Sequence, residues 1–149
     1  MMFQAGFQWQ VDLIENAGHV PFITLNNALL YIFAECTINA EKKKLSIPEI
    51  KSLFEKLSDE YGFTVVPKAG VLFDLAIDKK NEKEYGRAVD LFKYLISIYP
   101  GSEIYNYVLG QTYQLNGNVD LAKESYNESL KLNPDFRQAK TALEKINKL

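Results

Sequence analysis

The spacing of apolar and polar residues changes along the chain, and each spacing predicts a different kind of element. In residues 7–13, apolar side chains stand at every second position, from Phe7 to Leu13. A period of two predicts a half-buried β-strand. From Thr24 the apolar residues recur at helical spacing instead, which predicts a helix from Thr24 to about Cys36. One strand is therefore expected at the start of the chain, with helices after it.

Residues 46–62 carry the start and stop signals of a second helix. Ser46 and Glu49 have capping-box spacing, Pro48 falls in the first turn, and Gly62 is a typical C-terminal stop. The apolar stripe of this helix is predicted to be Ile50, Leu53, Phe54 and Leu57. The following "FTVVP" is expected to be extended and to end at Pro67.

Residues 69–136 contain an internal repeat, in which 69–102 aligns with 103–136 at an offset of 34 residues. Equivalent positions carry similar residues: Leu75 and Leu109, Ala76 and Gly110, Ala88 and Ala122, Phe92 and Tyr126, Ile96 and Leu130, Pro100 and Pro134. This period and these residue types are the signature of tetratricopeptide repeats, which the segment resembles. The small residues are expected to let two helices of a hairpin approach closely. The aromatic pair is expected to fill the gap to the neighbouring hairpin.

The second copy departs from the family pattern, with Asn106 in the place of the usual Trp and Ser129 in the place of the usual Ala. Residues 137–149 predict a last helix that resembles the solvating cap of such arrays, and the lysines of the "DKKNEKE" run predict a solvated connection. About three repeats are normally needed for a self-supporting stack, so the helices before residue 69 are expected to cover the open end.

Together these elements predict a mostly α protein, in which tetratricopeptide hairpins form an α–α superhelix after one β-strand and two helices. Residues 1–23 would be the strand and a turn that bears His19, and residues 24–67 two linking helices that pack on the repeats. Residues 68–149 would hold two repeats, 69–102 and 103–136, and the capping helix.

The composition and charge of the chain limit the classes of partner and ligand that are expected. The net charge is −2 and no basic stripe occurs, so a nucleic-acid partner is not expected. The single cysteine, Cys36, cannot form an internal disulfide, and no cluster of ligand residues predicts a metal or a cofactor. No apolar run is long enough to predict a membrane span, and the first residues do not predict a signal peptide. The expected location is cytoplasmic as sequenced, or periplasmic if a longer precursor exists.

The segments "VDLIENAGHVPFITLNNALLYIF" and "LSDEYGFTVVP" give the chain a second resemblance. They are similar to the C-terminal end of bacterial putative esterases of the α/β-hydrolase superfamily, some of which carry a tetratricopeptide tail. In that family the last strand leads into an acidic turn with the triad histidine, then into an apolar helix. The resemblance implies that the rest of the sheet belongs to a hydrolase portion outside this chain.

His19 is the residue that the resemblance marks as catalytic. It lies two residues before Pro21, whereas the family usually leaves about four, and an ungapped match would put Ala17 at the histidine position. No G-x-S-x-G nucleophile elbow occurs in the chain. His19 is therefore interpreted either as a member of an incomplete triad or as a loop histidine without a chemical role.

The first helices of the two repeats predict a groove for a protein partner. Its residues are expected to be Phe73, Asp74, Ile77, Ile104, Tyr107, Val108, Gln111 and Leu115. This set lacks the basic residues of a carboxylate clamp, so recognition of a chaperone tail is not expected. An apolar, aromatic groove favours packing against a hydrolase portion of the same protein or against a second copy, as a homodimer, over binding a free peptide.

Three functions remain open. The chain could be a non-catalytic interaction or scaffold module, the tail of an esterase-like protein. It could be the C-terminal fragment of a serine esterase, to which it contributes His19. It could also be a free-standing peptide-binding adaptor. No enzymatic activity is expected from the isolated chain, because the nucleophile and the oxyanion hole are the main sources of rate in such enzymes.

Overall fold

A computed structural model describes residues 45–62 and 64–148 of the chain. The predicted strand, the His19 turn and the predicted helix 24–36 lie outside the described residues. Within the described ranges the chain forms six helices and no β-strand, as expected for tetratricopeptide hairpins. The chain divides into two units, Met1–Pro67 and Lys68–Leu149.

Helix α1 (Ile47–Tyr61) begins and ends at the predicted signals. The backbone N–H and the hydroxyl of Ser46 each donate a hydrogen bond of 2.7 Å to the Glu49 carboxylate. At the other end, Gly62 adopts the left-handed conformation (φ 71°) and its N–H donates to the Ser58 carbonyl. Both caps of this helix are therefore confirmed.

Ser58 also fastens the extended segment that follows helix α1. Its hydroxyl accepts the N–H of Val65 at 2.8 Å and donates to the carbonyl of Phe54 at 2.7 Å. The bond from Val65 satisfies a backbone donor that no strand partner serves in the described part of the first unit. Val65 and Pro67 are both buried.

The second unit consists of five consecutive antiparallel helices. Helices α2 (Ala69–Asn81) and α3 (Tyr85–Ile98) form the first hairpin, and α4 (Glu103–Leu115) and α5 (Val119–Leu132) form the second. The cap is α6 (Arg137–Ile146). Each of these helices packs against its neighbour in sequence, which is the contact pattern of a helical repeat stack.

Small residues let the two helices of the second hairpin approach closely, as predicted. Ala88 and Ala122 are both fully buried. Gly110 in helix α4 faces helix α5 so closely that a Cβ atom there would lie 3.1 Å from the carbonyl oxygen of Ala122. The position therefore accommodates glycine and no larger residue without displacement.

The aromatic pair Phe92 and Tyr126 is buried. Each ring contacts the first helix of its own hairpin: Phe92 lies 5.9 Å from Phe73, and Tyr126 lies 5.7 Å from Tyr107. The absence of a side chain at Gly110 leaves space inside the second hairpin, and the ring of Tyr126 lies in that space.

The turn between the two helices of each hairpin has the same backbone geometry in both repeats. Lys83 (φ 63°) and Gly117 (φ 81°), 34 residues apart, both adopt the left-handed conformation. Lys83 N–H donates to the Lys80 carbonyl, as Gly117 N–H does to the Gln114 carbonyl. The first repeat therefore holds a lysine where the turn favours glycine.

Candidate functional site

Two helical stripes lie side by side on the first helices of the hairpins, and together we call them the α2–α4 face. The stripes are Phe73, Ile77 and Lys80 of helix α2, and Ile104, Tyr107, Gln111 and Leu115 of helix α4. Within each helix these residues are three or four positions apart, so they share one side. A hydrogen bond of 3.1 Å from Lys80 Nζ to Gln111 Oε1 joins the two stripes.

The polar centre of the α2–α4 face is a chain of two hydrogen bonds. Because an ammonium group can only donate, Lys80 fixes the oxygen of the Gln111 amide toward itself. The amide nitrogen then donates to the hydroxyl of Tyr107 at 2.9 Å. The orientation of Gln111 and the hydrogen-bonding role of Tyr107 both follow from this single lysine contact.

Aromatic contacts fix two of the rings of the α2–α4 face. The ring of Phe73 lies 5.6 Å from Tyr105 on helix α4, which ties the two first helices together. The ring of Tyr107 meets Phe136, just before helix α6, edge to face at 5.4 Å. These contacts leave both rings half-buried and fix their positions.

Exposed aliphatic residues flank this polar centre. Ile104 is 45% exposed and Leu115 is 53% exposed, while Ile77 is half-buried. Of the other two residues predicted for the groove, Asp74 is exposed and Val108 is buried at 8% exposure. The side chain of Val108 thus belongs to the core and offers no surface to a partner.

Lys80 is the residue of this face that the sequence reasoning missed, since the charges of "DKKNEKE" were expected to be a solvated connection. The structure corrects this expectation, because Asp78 to Asn81 continue helix α2. Lys79 is only 13% exposed and pairs with Glu82 at 2.5 Å and Glu84 at 3.2 Å across the turn. The signal for Lys80 was its spacing of three residues from Ile77 on the same helix side.

The pKa values of the two neighbouring lysines are shifted in opposite directions. The hydrogen bond to Glu82 raises the pKa of Lys79 above its ordinary value. Burial lowers the pKa of Lys80, since its charge loses water. Within the described ranges no carboxylate lies within ion-pair distance of Lys80. The α2–α4 face therefore holds a half-buried cation whose partner is a neutral amide.

The comparison with known families supports the repeat assignment. Residues 105–136, which include most of helix α4 and all of helix α5, match the family model described as "Tetratricopeptide repeat". The chain contains a tetratricopeptide repeat. A comparison with curated proteins finds no match to this chain.

In a tetratricopeptide array the first helices of the hairpins line the surface that generally binds other proteins. The α2–α4 face is made by the first helices of the two hairpins in this chain, α2 and α4. The fold and the matched repeat thus support a protein-interaction module.

The opposite side of the tetratricopeptide stack carries a groove of about 930 Å³. Its lining includes Lys93 of helix α3, Asn106, Leu109 and Tyr113 of helix α4, and Leu121 and Ser125 of helix α5. Asn106, in the place of the usual Trp, donates to the Ser102 carbonyl at 3.2 Å. Lys93 lies over the Tyr113 ring, whose hydroxyl raises the pKa of this lysine.

The described residues offer little to other chemistries. Among them, no three His, Cys, Asp or Glu side chains are grouped so that they could hold a metal ion. No helix of residues 45–62 and 64–148 has the length and apolar character needed to cross a bilayer. His19, the candidate catalytic residue, lies in the part of the chain that the structure does not describe.

Proposed function

We propose that this chain is a non-catalytic protein-interaction module that binds a polypeptide segment along the α2–α4 face. The observation that carries the proposal is the pair of exposed aliphatic residues, Ile104 and Leu115, beside a half-buried polar centre. Exposed apolar side chains around a few fixed polar groups are the composition of a recognition surface.

The proposal is tested by selecting random dodecapeptides displayed on phage against the immobilised full-length protein. Selected peptides are then synthesised, and their dissociation constants are measured by fluorescence polarisation. The variant Ile104→Asp places a charge on the α2–α4 face and should abolish binding. The matched control is Leu132→Asp, because Leu132 is equally exposed (46%) but lies at the end of helix α5.

Circular dichroism shows whether both variants keep their helices. Loss of binding in Ile104→Asp with retention in Leu132→Asp supports the proposal. Peptides that bind both variants as well as the wild type would place recognition elsewhere. A selection that yields no binding peptide would contradict a peptide-binding role altogether.

The finer context that we propose is the tail of an esterase-like protein, with the esterase portion as the physiological partner. Its support is the sequence resemblance around His19, together with the tetratricopeptide repeat that some members of that family carry. The DNA upstream of Met1 tests it directly. An in-frame G-x-S-x-G codon pattern supports a shared polypeptide, and an unrelated upstream gene contradicts it.

A homodimer, which the sequence predicts, is a second proposal for the partner of this chain. Light scattering over a concentration series measures the mass of the wild type and of a variant lacking residues 1–15. A dimer that becomes a monomer on deletion supports pairing through the N-terminal segment. A wild type that is monomeric at high concentration contradicts it.

A further inference from the structure

At the centre of the α2–α4 face, Lys80 and Tyr107 can still donate hydrogen bonds to a ligand. An ammonium group has three N–H donors, and Lys80 uses one of them on Gln111. The Tyr107 hydroxyl accepts from the Gln111 amide, so its own hydrogen is free to point elsewhere. No other described residue accepts from either group. A ligand that meets this centre must therefore supply acceptors.

The positive charge of Lys80 favours an anionic ligand at this centre. Some other lysines of the second unit have carboxylate partners: Lys79 has Glu82 and Glu84, and Lys131 has Glu128. Lys80 has no such partner among the described residues, although it is half-buried. A charge that has lost water without gaining a counter-charge is destabilised, and an incoming carboxylate removes that cost.

The neighbours of Lys80 define what must accompany the carboxylate. Ile77 lies three residues before it on the same side of helix α2, and the exposed Ile104 and Leu115 lie on the paired stripe. A ligand that covers this surface therefore carries apolar side chains on both sides of its acidic group. This composition is that of a peptide and not of a small inorganic anion.

We infer that Lys80 and Tyr107, held in place by Gln111, form a seat for an Asp or Glu side chain of the partner, with apolar residues of the partner on either side. The inference rests on the proposed function, since it names the chemistry of the segment that the α2–α4 face binds. It differs from capture of a chain terminus, because the acceptor is an internal side chain.

The test is a double-mutant cycle on the selected dodecapeptides, synthesised with amidated C-termini so that no terminal carboxylate contributes. Selected sequences should share an acidic position between apolar residues. Replacing that Glu or Asp by its amide should raise the dissociation constant about 10- to 100-fold, as expected for a hydrogen bond to a charged group. In Lys80→Gln, which keeps a donor for Gln111, the same replacement should change little.

The control is Lys145→Gln, because Lys145 is an exposed lysine in the last turn of helix α6, away from the α2–α4 face. It should bind the acidic peptides as the wild type does. Binding should also weaken from low to physiological ionic strength in the wild type, and much less in Lys80→Gln.

Failure of the carboxylate seat can be distinguished from failure of the proposed peptide-binding function. Peptides that lose binding in Ile104→Asp but carry no acidic position, or tolerate its amide, overturn the carboxylate seat and leave the interaction module standing. Equal effects of the amide in the wild type and in Lys80→Gln also overturn the seat. If no selected peptide depends on Ile104 for binding, both the proposed interaction module and the carboxylate seat are overturned.

Discussion

The ring of Tyr126 occupies the space beside Gly110 that a side chain would need. A Cβ atom on Gly110 would lie 2.6 Å from Cε1 and 2.7 Å from Cδ1 of this ring. The Tyr126 hydroxyl donates to Gln114 Oε1 at 2.9 Å, which holds the ring in that place. The close approach of helices α4 and α5 at this point thus depends on a glycine at position 110.

Gly110→Ala should destabilise the protein even though alanine favours helices. The helix propensity gained is about 1 kcal/mol. The overpacking cost is about 1–3 kcal/mol, because Tyr126 is buried and hydrogen-bonded and because the backbone of Ala122 blocks the other direction. Urea unfolding followed by circular dichroism measures the change in the free energy of unfolding.

Gly86→Ala is the matched control, since a Cβ atom at this position of helix α3 meets nothing within 4 Å. It should stabilise the protein by about 0.5–1 kcal/mol. If both alanine variants stabilise the protein alike, the close approach at Gly110 is wrong.

Lys83→Gly should stabilise the first hairpin. Lys83 adopts a left-handed conformation (φ 63°), which costs a residue with a Cβ atom about 1–2 kcal/mol. Glycine removes this cost in the folded state, but part of the gain in stability is lost because glycine also gives the unfolded chain more freedom. A net gain of about 0.5–1 kcal/mol in the free energy of unfolding is expected.

The reciprocal change Gly117→Lys should have the opposite sign, as the same turn recurs there with φ 81°. Urea unfolding compares the two variants. A Lys83→Gly protein less stable than the wild type would mean that the contacts of the lysine side chain outweigh its backbone strain.

Ser129→Ala should stabilise the protein by about 1 kcal/mol, because it removes a buried hydroxyl that lacks a hydrogen bond. Ser129 is fully buried and its Oγ has no partner in the described part of the chain. Ser125→Ala is the control, since the Ser125 hydroxyl donates to the Leu121 carbonyl at 2.9 Å. Thermal melting should rank Ser129→Ala above Ser125→Ala, and the reverse order would contradict the unsatisfied hydroxyl.

Tyr126 should make stability fall at alkaline pH. Burial raises its pKa from 10.0 to about 12. The unfolded chain releases this proton first, so the stabilisation is complete below about pH 10 and is lost as pH rises toward 12. Tyr126→Phe should show a weaker fall over that range. Urea midpoints measured against pH test this, and parallel curves for the two proteins would contradict it.

Much of the helical architecture could be predicted from sequence, since local signals fix it. The capping residues of helix α1 and the offset of 34 residues in the repeats each specify an element without reference to distant contacts. The ring contacts of Phe92 and Tyr126 inside their own hairpins do not follow from such local signals. Which neighbour a ring meets depends on the space left by Gly110 and on the approach of two helices.

The candidate site was only partly predictable, because some of its residues are positioned by contacts with residues that are distant in the sequence. Exposed aliphatic positions such as Ile104 and Leu115 follow from helical spacing. The place of Lys80 does not, because a lysine inside a charged run predicts solvation. Its half-buried position depends on Gln111, 31 residues later, and on the pairing of Lys79 with glutamates beyond the helix end.

The bond from Lys80 to Gln111 joins side chains of the first helices of two successive hairpins, 31 residues apart in the sequence. The family model matches only the second of these hairpins. The polar centre of the α2–α4 face nevertheless takes Lys80 from the first hairpin and Gln111 and Tyr107 from the second. The binding surface is therefore a joint property of both repeats, and neither hairpin alone would present it.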